Sequence, residues 1–276
     1  MQSYRQVLKT VIRHGDVKES RAGNVVSVSH VTWSHDMRSG FPAITGRKLA
    51  FKTMAAELEC FIKGLSRIED FRLRGCHIWD ANLADFNDRM GTPDNRDLGP
   101  IYGRVWRGLV DEAPSIPDQL VELLADARVN PQSRRLLVTA WAPGISDDGA
   151  LVALPPCHLL WQISIVGPWL DLCFYMRSVD LALGLPFDIA SYALLQSLIA
   201  NELGYKPRTL TAFLADAHIY TQNLPGVTEY LDRPTFVLPT LNLGAAPGAK
   251  VIDFSYRDVS LSGYTCGDAI KMDMAV

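Results

Sequence analysis

Apolar side chains recur with helical spacing in the first half of the chain. Residues 2–13 and residues 48–63 place them three and four positions apart, and a glycine follows each segment, which predicts two amphipathic helices. A third helix is predicted over residues 117–127, where a proline stands at the first position. Residues 82–100 are rich in Asn, Asp, Gly and Pro and therefore predict a loop.

Alternation of apolar and polar positions indicates strands, most of them in the second half of the chain. Residues 158–166 and 169–177 flank the pair Gly167 and Pro168, which predicts a hairpin. The other predicted strands are residues 25–33, 135–141, 209–215, 235–241 and 251–256.

Residues 189–203 are apolar on most faces of a helix, and Gly204 ends the run. Such a helix has to be surrounded by protein, so we expect it to be long, central and buried. The chain shows no internal repeat and no linker with a shift in composition. We therefore expect one α+β domain over residues 1–276.

Composition narrows the classes of function. The chain has 276 residues, 48% of them hydrophobic and 21% charged, as in a globular protein with a real core. The formal net charge of −3 leaves no broad basic field for a nucleic acid polymer, so an anionic ligand would be met by a few placed arginines. The motifs that bind dinucleotides and nucleoside triphosphates are absent.

Cysteine usage and apolar runs predict the compartment. The five cysteines are scattered and form no Cys-x-x-Cys pair, which argues against a disulfide framework and a structural zinc site, so no metal is expected. The first residues lack the apolar run of a signal peptide, and no stretch reaches membrane-spanning length. These features predict a cytoplasmic protein that does not bind a membrane.

Cys157 is the first candidate for chemistry. Pro155 and Pro156 stiffen the chain before it, His158 follows it, and Arg177 is expected to come near it across the predicted hairpin. A guanidinium beside a thiol lowers the pKa of the thiol and raises the fraction of nucleophilic thiolate. The alternative is a buried cysteine that packs as a small apolar side chain. Local chemistry alone leaves both interpretations open.

Four arginines form a set suited to a phosphate monoester: Arg21, Arg134, Arg135 and Arg177. Guanidinium groups offer planar, multiple donors to phosphate oxygens, and Ser178 adds a hydroxyl donor. The alternative for the adjacent pair at 134 and 135 is a solvated basic doublet.

Two carboxylates and one strand face have open roles. Asp188 stands just before the predicted central helix, where its simplest role is that of an N-cap. Glu57 lies on a predicted amphipathic helix, and taken alone it is expected to face solvent. His218 and Tyr220 alternate on one face of a strand, where they either pack in the core or hydrogen-bond a sugar.

Motifs distributed over nearly the whole chain resemble the thymidylate synthase family. The most specific are Leu-Pro-Pro-Cys-His around Cys157, Tyr-Met-Arg-Ser-Val-Asp around Ser178, and Gly-Leu-Pro-Phe-Asp-Ile-Ala-Ser-Tyr around Asp188. Further similar segments are residues 19–23, 40–45, 57–58, 78–80, 98–107, 130–135, 216–220 and 270–276. The resemblance implies an α+β fold with a twisted mixed sheet, working as an obligate homodimer.

The resemblance also implies roles for individual residues. Cys157 resembles the nucleophile that adds to carbon 6 of a pyrimidine, and Glu57 the carboxylate that organises water and protons around the ring. For the nucleoside monophosphate, the implied ligands are Arg21, Arg177 and Ser178 for phosphate, Arg134 and Arg135 donated to that phosphate by the partner subunit, Asp180 and Asp188 for the base, and His218 and Tyr220 for the sugar 3′-hydroxyl. For the reduced folate, methylenetetrahydrofolate, they are Trp79, Asn82, Tyr102, Asp180, Gly184 and Val276.

Asp188 is the departure from the family with the clearest chemical meaning. The family usually carries Asn there, whose amide complements the N–H at position 3 and the oxygen at position 4 of uracil. Cytosine offers an acceptor nitrogen and an amino donor instead. A carboxylate accepts from that amino group, and from nitrogen 3 if it is protonated. The phage deoxycytidylate hydroxymethylases share this Asp. Other departures are Asn82 in place of a second Trp, Met176 in place of Gln, and Ala142-Pro143 in place of Asn.

These implications predict a transferase of nucleotide biosynthesis. The thiolate of Cys157 adds to carbon 6 of dCMP, carbon 5 receives the one-carbon unit, and water adds to give 5-hydroxymethyl-dCMP. The alternatives are a dCMP 5-methyltransferase that ends in hydride transfer and releases dihydrofolate, a dUMP thymidylate synthase, a CMP hydroxymethylase, and a catalytically silent nucleotide-binding or RNA-binding relative. Phage DNA modification would suit this activity, and a phage-encoded enzyme would act in the host cytoplasm.

Overall fold

The computed structural model describes residues 2–109, 116–146 and 148–274. Its α-helices are α1 (Gln2–His14), α2 (Phe51–Ile62), α3 (Ile68–Arg72), α4 (Asp80–Met90), α5 (Tyr102–Trp106), α6 (Gln119–Val129), α7 (Gly184–Leu203) and α8 (Leu224–Asp232). Its strands are β1 (Asp16–Ser20), β2 (Gly23–Asp36), β3 (Leu137–Thr139), β4 (His158–Val166), β5 (Trp169–Asp180), β6 (Lys206–Tyr220), β7 (Thr240–Asn242) and β8 (Ser260–Ser262).

The first six strands form one mixed sheet in the order β1-β2-β6-β5-β4-β3 within the described part of the chain. Neighbouring strands are antiparallel except β5 and β6, which are parallel. Parallel neighbours need a crossover connection, and α7 supplies it and packs on both strands. The predicted α+β fold with a twisted mixed sheet is therefore confirmed.

Helix α7 is the central buried helix that its apolar composition predicts. It packs against the sheet and against α2, so side chains on most of its faces are buried. It begins at Gly184, earlier than predicted, because the first helical N–H groups need no partner and Pro186 is tolerated there. Asp188 consequently lies inside the helix, and its interpretation as an N-cap is wrong.

The loop predicted over residues 82–100 is wrong for its first part, which is helix α4. Leu83, Phe86 and Asn87 are buried at helical spacing, and the Asn and Asp residues that suggested a loop lie mostly outside this stripe. Gly91 ends the helix with φ 65°, a left-handed conformation that favours glycine.

The strands predicted at residues 235–241 and 251–256 are also wrong. Only the short strand β7 forms near the first segment, paired with β8, because Pro239 lacks an N–H and Val237 is exposed. Val251–Asp253 is a 3₁₀ helix. The other predicted helices and strands are confirmed with shifted ends, whereas β1, β8, α3, α5 and α8 have no counterpart in the sequence-based prediction.

Candidate active site

At one end of the sheet, strands β5 and β6 end and strands β2 and β4 begin. Asp180, the last residue of β5, lies opposite His218 near the end of the parallel strand β6. Because β4 runs antiparallel to β5, His158 at its start lies opposite Met176 near the end of β5. Strand β2 begins beside the end of β6, and α7 begins shortly after β5. Crevices outside the carboxyl ends of parallel strands are the usual ligand sites of such sheets.

A cavity of about 450 Å³ opens at this end of the sheet. Most of the residues predicted for the site line it: Glu57, Cys157, Asp188, Arg21, Ser178, Asp180, His218, Tyr220, Trp79, Asn82, Tyr102 and Gly184. Arg177 is partly exposed and is not among the lining residues, Arg134 and Arg135 are exposed elsewhere on the surface, and Val276 lies outside the described residues.

Cys157 stands directly before β4 and is held by its backbone. Its N–H donates to the hydroxyl oxygen of Tyr102 at 2.9 Å, and its carbonyl accepts the N–H of Arg177 at 2.9 Å. The Arg177 side chain folds back on the same segment, donating from Nε to the Pro156 carbonyl at 2.7 Å and from Nη2 to the Pro155 carbonyl at 2.9 Å. The predicted proximity of Arg177 and Cys157 is confirmed.

The acidity of the thiol differs from expectation. Burial raises the pKa of Cys157 above its ordinary value, and Arg177, which acts to lower the pKa, does not outweigh burial. Ionisation of Asp188 would raise it further. The net lowering expected from the guanidinium is therefore wrong for the free site, where Cys157 is a protonated thiol at neutral pH.

His158 follows Cys157 in the sequence, and its contacts in the free site are structural. Burial lowers the pKa of its imidazole to about 3, so the ring is neutral at physiological pH. Its Nδ1 lies 2.7 Å from the hydroxyl oxygen of Tyr192. Its ring stacks on Tyr102 with 3.8 Å between centroids and 7° between planes. His158 thus supports the tyrosine that holds the backbone of Cys157.

Glu57 faces the cavity from α2, so its solvent-facing interpretation is wrong. Its carboxyl is enclosed by protein even though the residue keeps some surface toward the cavity. Burial raises the pKa of Glu57 to about 7, against the opposing effect of a hydrogen bond of 2.8 Å from Trp79 Nε1. A carboxyl with a pKa near neutrality is suited to proton transfer at neutral pH.

Asp188 and Asp180 bring two more acids into the same wall. Burial raises the pKa of Asp188 well above its ordinary value, and the charges of Glu57 and Asp180 raise it further. Burial also raises the pKa of Asp180. A Cβ at Gly184 would lie 3.8 Å from both Asp180 Cβ and Asp188 Oδ2. Glycine therefore leaves open space between the two acids.

The predicted phosphate ligands occupy opposite edges of the sheet. Arg21 is exposed in the turn between β1 and β2 and reaches the cavity mouth near Tyr220. Arg134 and Arg135 are exposed just before β3, the strand at the other end of the sheet. Within one chain, the arginines of this set do not converge.

Sequence reasoning missed several residues of the wall. Arg47 is one, with its Nη2 donating to the Ala182 carbonyl at 2.8 Å. The signal for it is a basic pair that directly follows the family-like segment 40–45. The missed apolar residues carry no such signal, because cavity walls and cores share their composition: Phe61, Ile78, Leu154, Val179, Leu183, Phe187 and Met274.

The lining of the cavity is apolar at Ile78, Leu183 and Phe187, and Trp79 lies there beside the carboxyl of Glu57. Among the described residues, no group of three or more His, Cys, Asp or Glu side chains is placed to hold a metal ion. No helix within residues 2–109, 116–146 and 148–274 is long and apolar enough to cross a membrane.

Comparison with protein families identifies the class of enzyme to which this fold and cavity belong. The chain belongs to the thymidylate synthase family, because the family model described as thymidylate synthase matches residues 2–276. Members of this family are generally dimeric transferases that use methylenetetrahydrofolate to transfer a one-carbon unit to a pyrimidine nucleotide.

Proposed function

We propose that this member of the family is a deoxycytidylate 5-hydroxymethyltransferase, with residues 1–276 as one catalytic domain. Its substrate is dCMP and its product is 5-hydroxymethyl-dCMP. Methylenetetrahydrofolate supplies the one-carbon unit at the oxidation level of formaldehyde and leaves as tetrahydrofolate. The observation that carries the proposal is the position of Asp188 in the same cavity wall as Cys157.

The protonation of Asp188 favours cytosine over uracil. The raised pKa of Asp188 keeps its carboxyl protonated in the free site, since burial and two neighbouring acids oppose its charge. The proton can pass to nitrogen 3 of cytosine, which leaves a carboxylate accepting from that N–H and from the amino group. Uracil has no basic nitrogen at position 3, so it cannot form this ion pair. Charge-assisted hydrogen bonds are roughly twice as strong as neutral ones.

Protonation of cytosine also assists the nucleophile. A positive charge on the ring draws electrons from carbon 6, where the thiolate of Cys157 adds. The electron pair moves to carbon 5, which bonds to the one-carbon unit. Carbon 5 then loses its proton, and tetrahydrofolate leaves with the electron pair of the carbon–nitrogen bond, which gives an exocyclic methylene. The raised pKa of Cys157 leaves little of the thiol as nucleophilic thiolate. Protonation of the ring offsets this, because it makes carbon 6 more electrophilic.

Glu57 is the candidate for placing water on the exocyclic methylene that results. Its carboxylate accepts a proton from water, the oxygen bonds to the methylene carbon, and the thiolate leaves carbon 6 with its electron pair. Asn82, which lines the same cavity, is polar and smaller than the second Trp of many family members, so it admits water on the folate side.

Hydride transfer is the second candidate for the end of the reaction. It is favoured by Trp79, which is buried and adjoins Glu57 as an apolar shield. Incubating the protein with dCMP and methylenetetrahydrofolate decides between them. Hydroxymethylation gives the mass of 5-hydroxymethyl-dCMP with tetrahydrofolate, whereas 5-methyl-dCMP with stoichiometric dihydrofolate would overturn the proposal. Faster turnover of dUMP than of dCMP would overturn the choice of base.

The exposed arginines support the proposed homodimer. Arg134 and Arg135 are exposed and lie at the far end of the sheet from Arg21, so they are free to serve the cavity of another subunit. We propose that each phosphate is held by Arg21, Arg177 and Ser178 of one chain and by Arg134 and Arg135 of its partner. In this arrangement Arg177 also keeps Cys157 in place through its carbonyl contacts.

A further inference from the structure

Asp216 of β6 lies just behind the cavity, between the turn that carries Arg21 and the strand face that carries His218. Its Oδ2 accepts a hydrogen bond from Lys18 Nζ at 2.7 Å, and its Oδ1 accepts one from Ser27 Oγ at 2.6 Å. Lys18 belongs to β1 and Ser27 to β2, so one carboxylate ties both strands of the hairpin to β6. We call residues 16–27 the arm, because Arg21 stands in its turn.

The arm has few other anchors on the side of β1. Strand β1 is the edge strand of the sheet, pairs with β2 only among the described strands, and is mostly exposed. An exposed ion pair such as that of Lys18 contributes little to folding stability. It does restrict where the hairpin lies, and with it the position of Arg21. The contact thus has more consequence for the geometry of the arm than for the stability of the fold.

The same carboxylate faces His218. Nδ1 of His218 lies 3.2 Å from the backbone carbonyl of Asp216 and 3.6 Å from Asp216 Oδ1. The carbonyl is within hydrogen-bond distance of Nδ1, and the nearby carboxylate charge, although too far for a hydrogen bond, adds an electrostatic preference, so the tautomer that carries its proton on Nδ1 is favoured. Nε2 is then left as an acceptor. A hydrogen-bond acceptor is what a sugar hydroxyl needs in order to donate.

We propose that Asp216 is a positioning residue that couples the two ends of the nucleotide site, fixing the arm toward the 5′-phosphate and the tautomer of His218 toward the 3′-hydroxyl. This inference rests on the proposed nucleotide substrate but not on the choice of base or product. Asp216 acts through Arg21 and His218 and does not itself line the cavity wall.

Ligands that lack one end of the nucleotide separate the two effects. Binding is measured by calorimetry for dCMP, for deoxycytidine without phosphate, and for 2′,3′-dideoxy-CMP without the 3′-hydroxyl. In Lys18→Met we expect weaker binding of the two phosphate-bearing ligands and unchanged binding of deoxycytidine. In Asp216→Asn we expect the dissociation constant of dCMP to rise roughly ten- to hundredfold. Deoxycytidine should weaken about three- to tenfold, because the 3′-hydroxyl contact is lost as well.

Two comparisons make the test specific. The double variant Lys18→Met/Asp216→Asn should bind dCMP no more weakly than Asp216→Asn, because both changes release the same arm. Asp171→Asn is the matched control, since Asp171 also joins two strands by accepting from Arg208 Nε at 2.9 Å and from the Thr209 N–H at 2.8 Å. It lies nine residues before Asp180 on β5, about 30 Å along the strand. Its binding of dCMP should stay within about twofold of the unchanged protein.

The outcomes distinguish this inference from the proposed function. An unchanged protein that binds neither dCMP nor dUMP would overturn both. If the unchanged protein binds dCMP, and Asp216→Asn binds each of the three ligands as tightly as the unchanged protein does, only the role of Asp216 is wrong. If Asp216→Asn and Asp171→Asn lose the same amount of affinity for dCMP, the cause is general destabilisation, and the positioning role of Asp216 is likewise overturned. A methylated product with the expected binding pattern would leave it standing.

Discussion

Trp79 Nε1 donates a hydrogen bond of 2.8 Å to Glu57 Oε1 in the lining of the cavity. This bond lowers the pKa of Glu57, whereas burial raises it, and the balance lies at about 7. The indole therefore has two functions in one place. It shields the cavity from solvent, and it holds the carboxyl in the range where a base works at neutral pH.

Replacement of Trp79 by Phe tests that balance. The ring is kept and the donor is lost, so the pKa of Glu57 rises above 7 because the carboxylate loses the hydrogen bond that favours it. We expect the pH at half-maximal kcat to move upward by roughly one pH unit. The measurement is a pH profile of kcat for dCMP turnover.

Trp106→Phe is the control for this change. Trp106 belongs to the same aromatic cluster through Phe61, and its buried indole N–H has no hydrogen-bond partner among the described residues. Removal of the Trp106 indole N–H should leave the pH profile of kcat unchanged. A profile that moves equally in both variants would show that ring packing, and not the hydrogen bond to Glu57, sets the pKa.

Glu57→Gln should stabilise the protein at alkaline pH. At pH values below about 4.5 the carboxyl is protonated in both folded and unfolded chains and contributes nothing. Between 4.5 and about 7 the unfolded chain releases its proton first, so stability falls as pH rises. Above 7 the full cost remains, which a pKa raised from 4.5 to about 7 puts at about 3 kcal/mol. Urea unfolding at pH 5 and pH 8.5 should show a gain for the variant that is much larger at pH 8.5.

Glu59→Gln, two residues further along α2, should behave in the opposite way. Burial acts to raise the pKa of Glu59, but hydrogen bonds from Lys63, the Tyr256 backbone and Arg74 hold it below its ordinary value. That carboxylate stabilises the fold above the pKa it has in the unfolded chain, so its neutralisation destabilises the protein at pH 8.5. Equal effects of the two substitutions would contradict the assignment of a raised pKa to Glu57.

The central architecture could be predicted from the sequence because its signals are local. The apolar run of α7, the Gly-Pro turn between β4 and β5 and the amphipathic spacing of α1 each state their structure within a few residues. Helix α4 could not be predicted in this way. Its Asn and Asp residues favour loops, and only the burial of Leu83 and Phe86 against the core makes it a helix. Tertiary packing overrides propensity there.

The candidate site shows the same division. Motif residues such as Cys157 and Asp188 were found from the sequence, and the cavity brings them together. Their acidities were not predictable, because the pKa of a buried group depends on what surrounds it in space. The net effect on the Cys157 pKa came out opposite to that expected from Arg177 alone. Arg47 and the apolar wall residues were missed because cavity and core share a composition.

Alkylation of Cys157 should be slow at neutral pH and should accelerate as the solution becomes alkaline. Because burial raises the pKa of this thiol above its ordinary value, little of it is thiolate at neutral pH. Arg177→Met should slow the reaction further at pH 9, because Arg177 is the nearby charge that lowers the pKa of Cys157. Iodoacetamide labelling followed by peptide mass spectrometry separates Cys157 from the other cysteines. Arg177→Lys is the control, because it keeps the charge and should restore part of the labelling rate. Fast labelling of Cys157 in the unchanged protein at pH 7 would contradict the raised pKa.

Complementation between subunits tests the trans arrangement of arginines. An Arg135→Ala chain and a Cys157→Ala chain should each be inactive, or nearly so, as homodimers. A mixed dimer has one site with both lesions and one with neither, so refolding the two chains together should recover about a quarter of normal activity, because half of the dimers are mixed and each has one intact site. No recovered activity, with mixed dimers verified by mass spectrometry, would mean that Arg135 serves its own subunit or does not bind phosphate.

Asp188→Asn should transfer the preference from dCMP to dUMP. In the unchanged protein the carboxyl shares its proton with nitrogen 3 of cytosine, whereas uracil has no basic nitrogen at position 3 to accept that proton. An amide reverses the pattern, since it accepts from the uracil N–H and donates to the oxygen at position 4. Mismatched buried polar edges discriminate strongly, so the ratio of kcat/KM for dCMP to that for dUMP should fall by roughly a hundredfold or more.

The pH dependence of that preference identifies its cause. Productive binding of dCMP needs the proton that the raised pKa of Asp188 retains, so kcat/KM for dCMP should decline on the alkaline side as Asp188 ionises in the free protein. Asn carries no titrating proton, and the Asp188→Asn variant should lack this alkaline decline with dUMP. Steady-state rates on both nucleotides between pH 6 and pH 10 provide the measurement. A variant that still prefers dCMP, or that keeps the same alkaline decline, would show that the base is selected by another part of the wall.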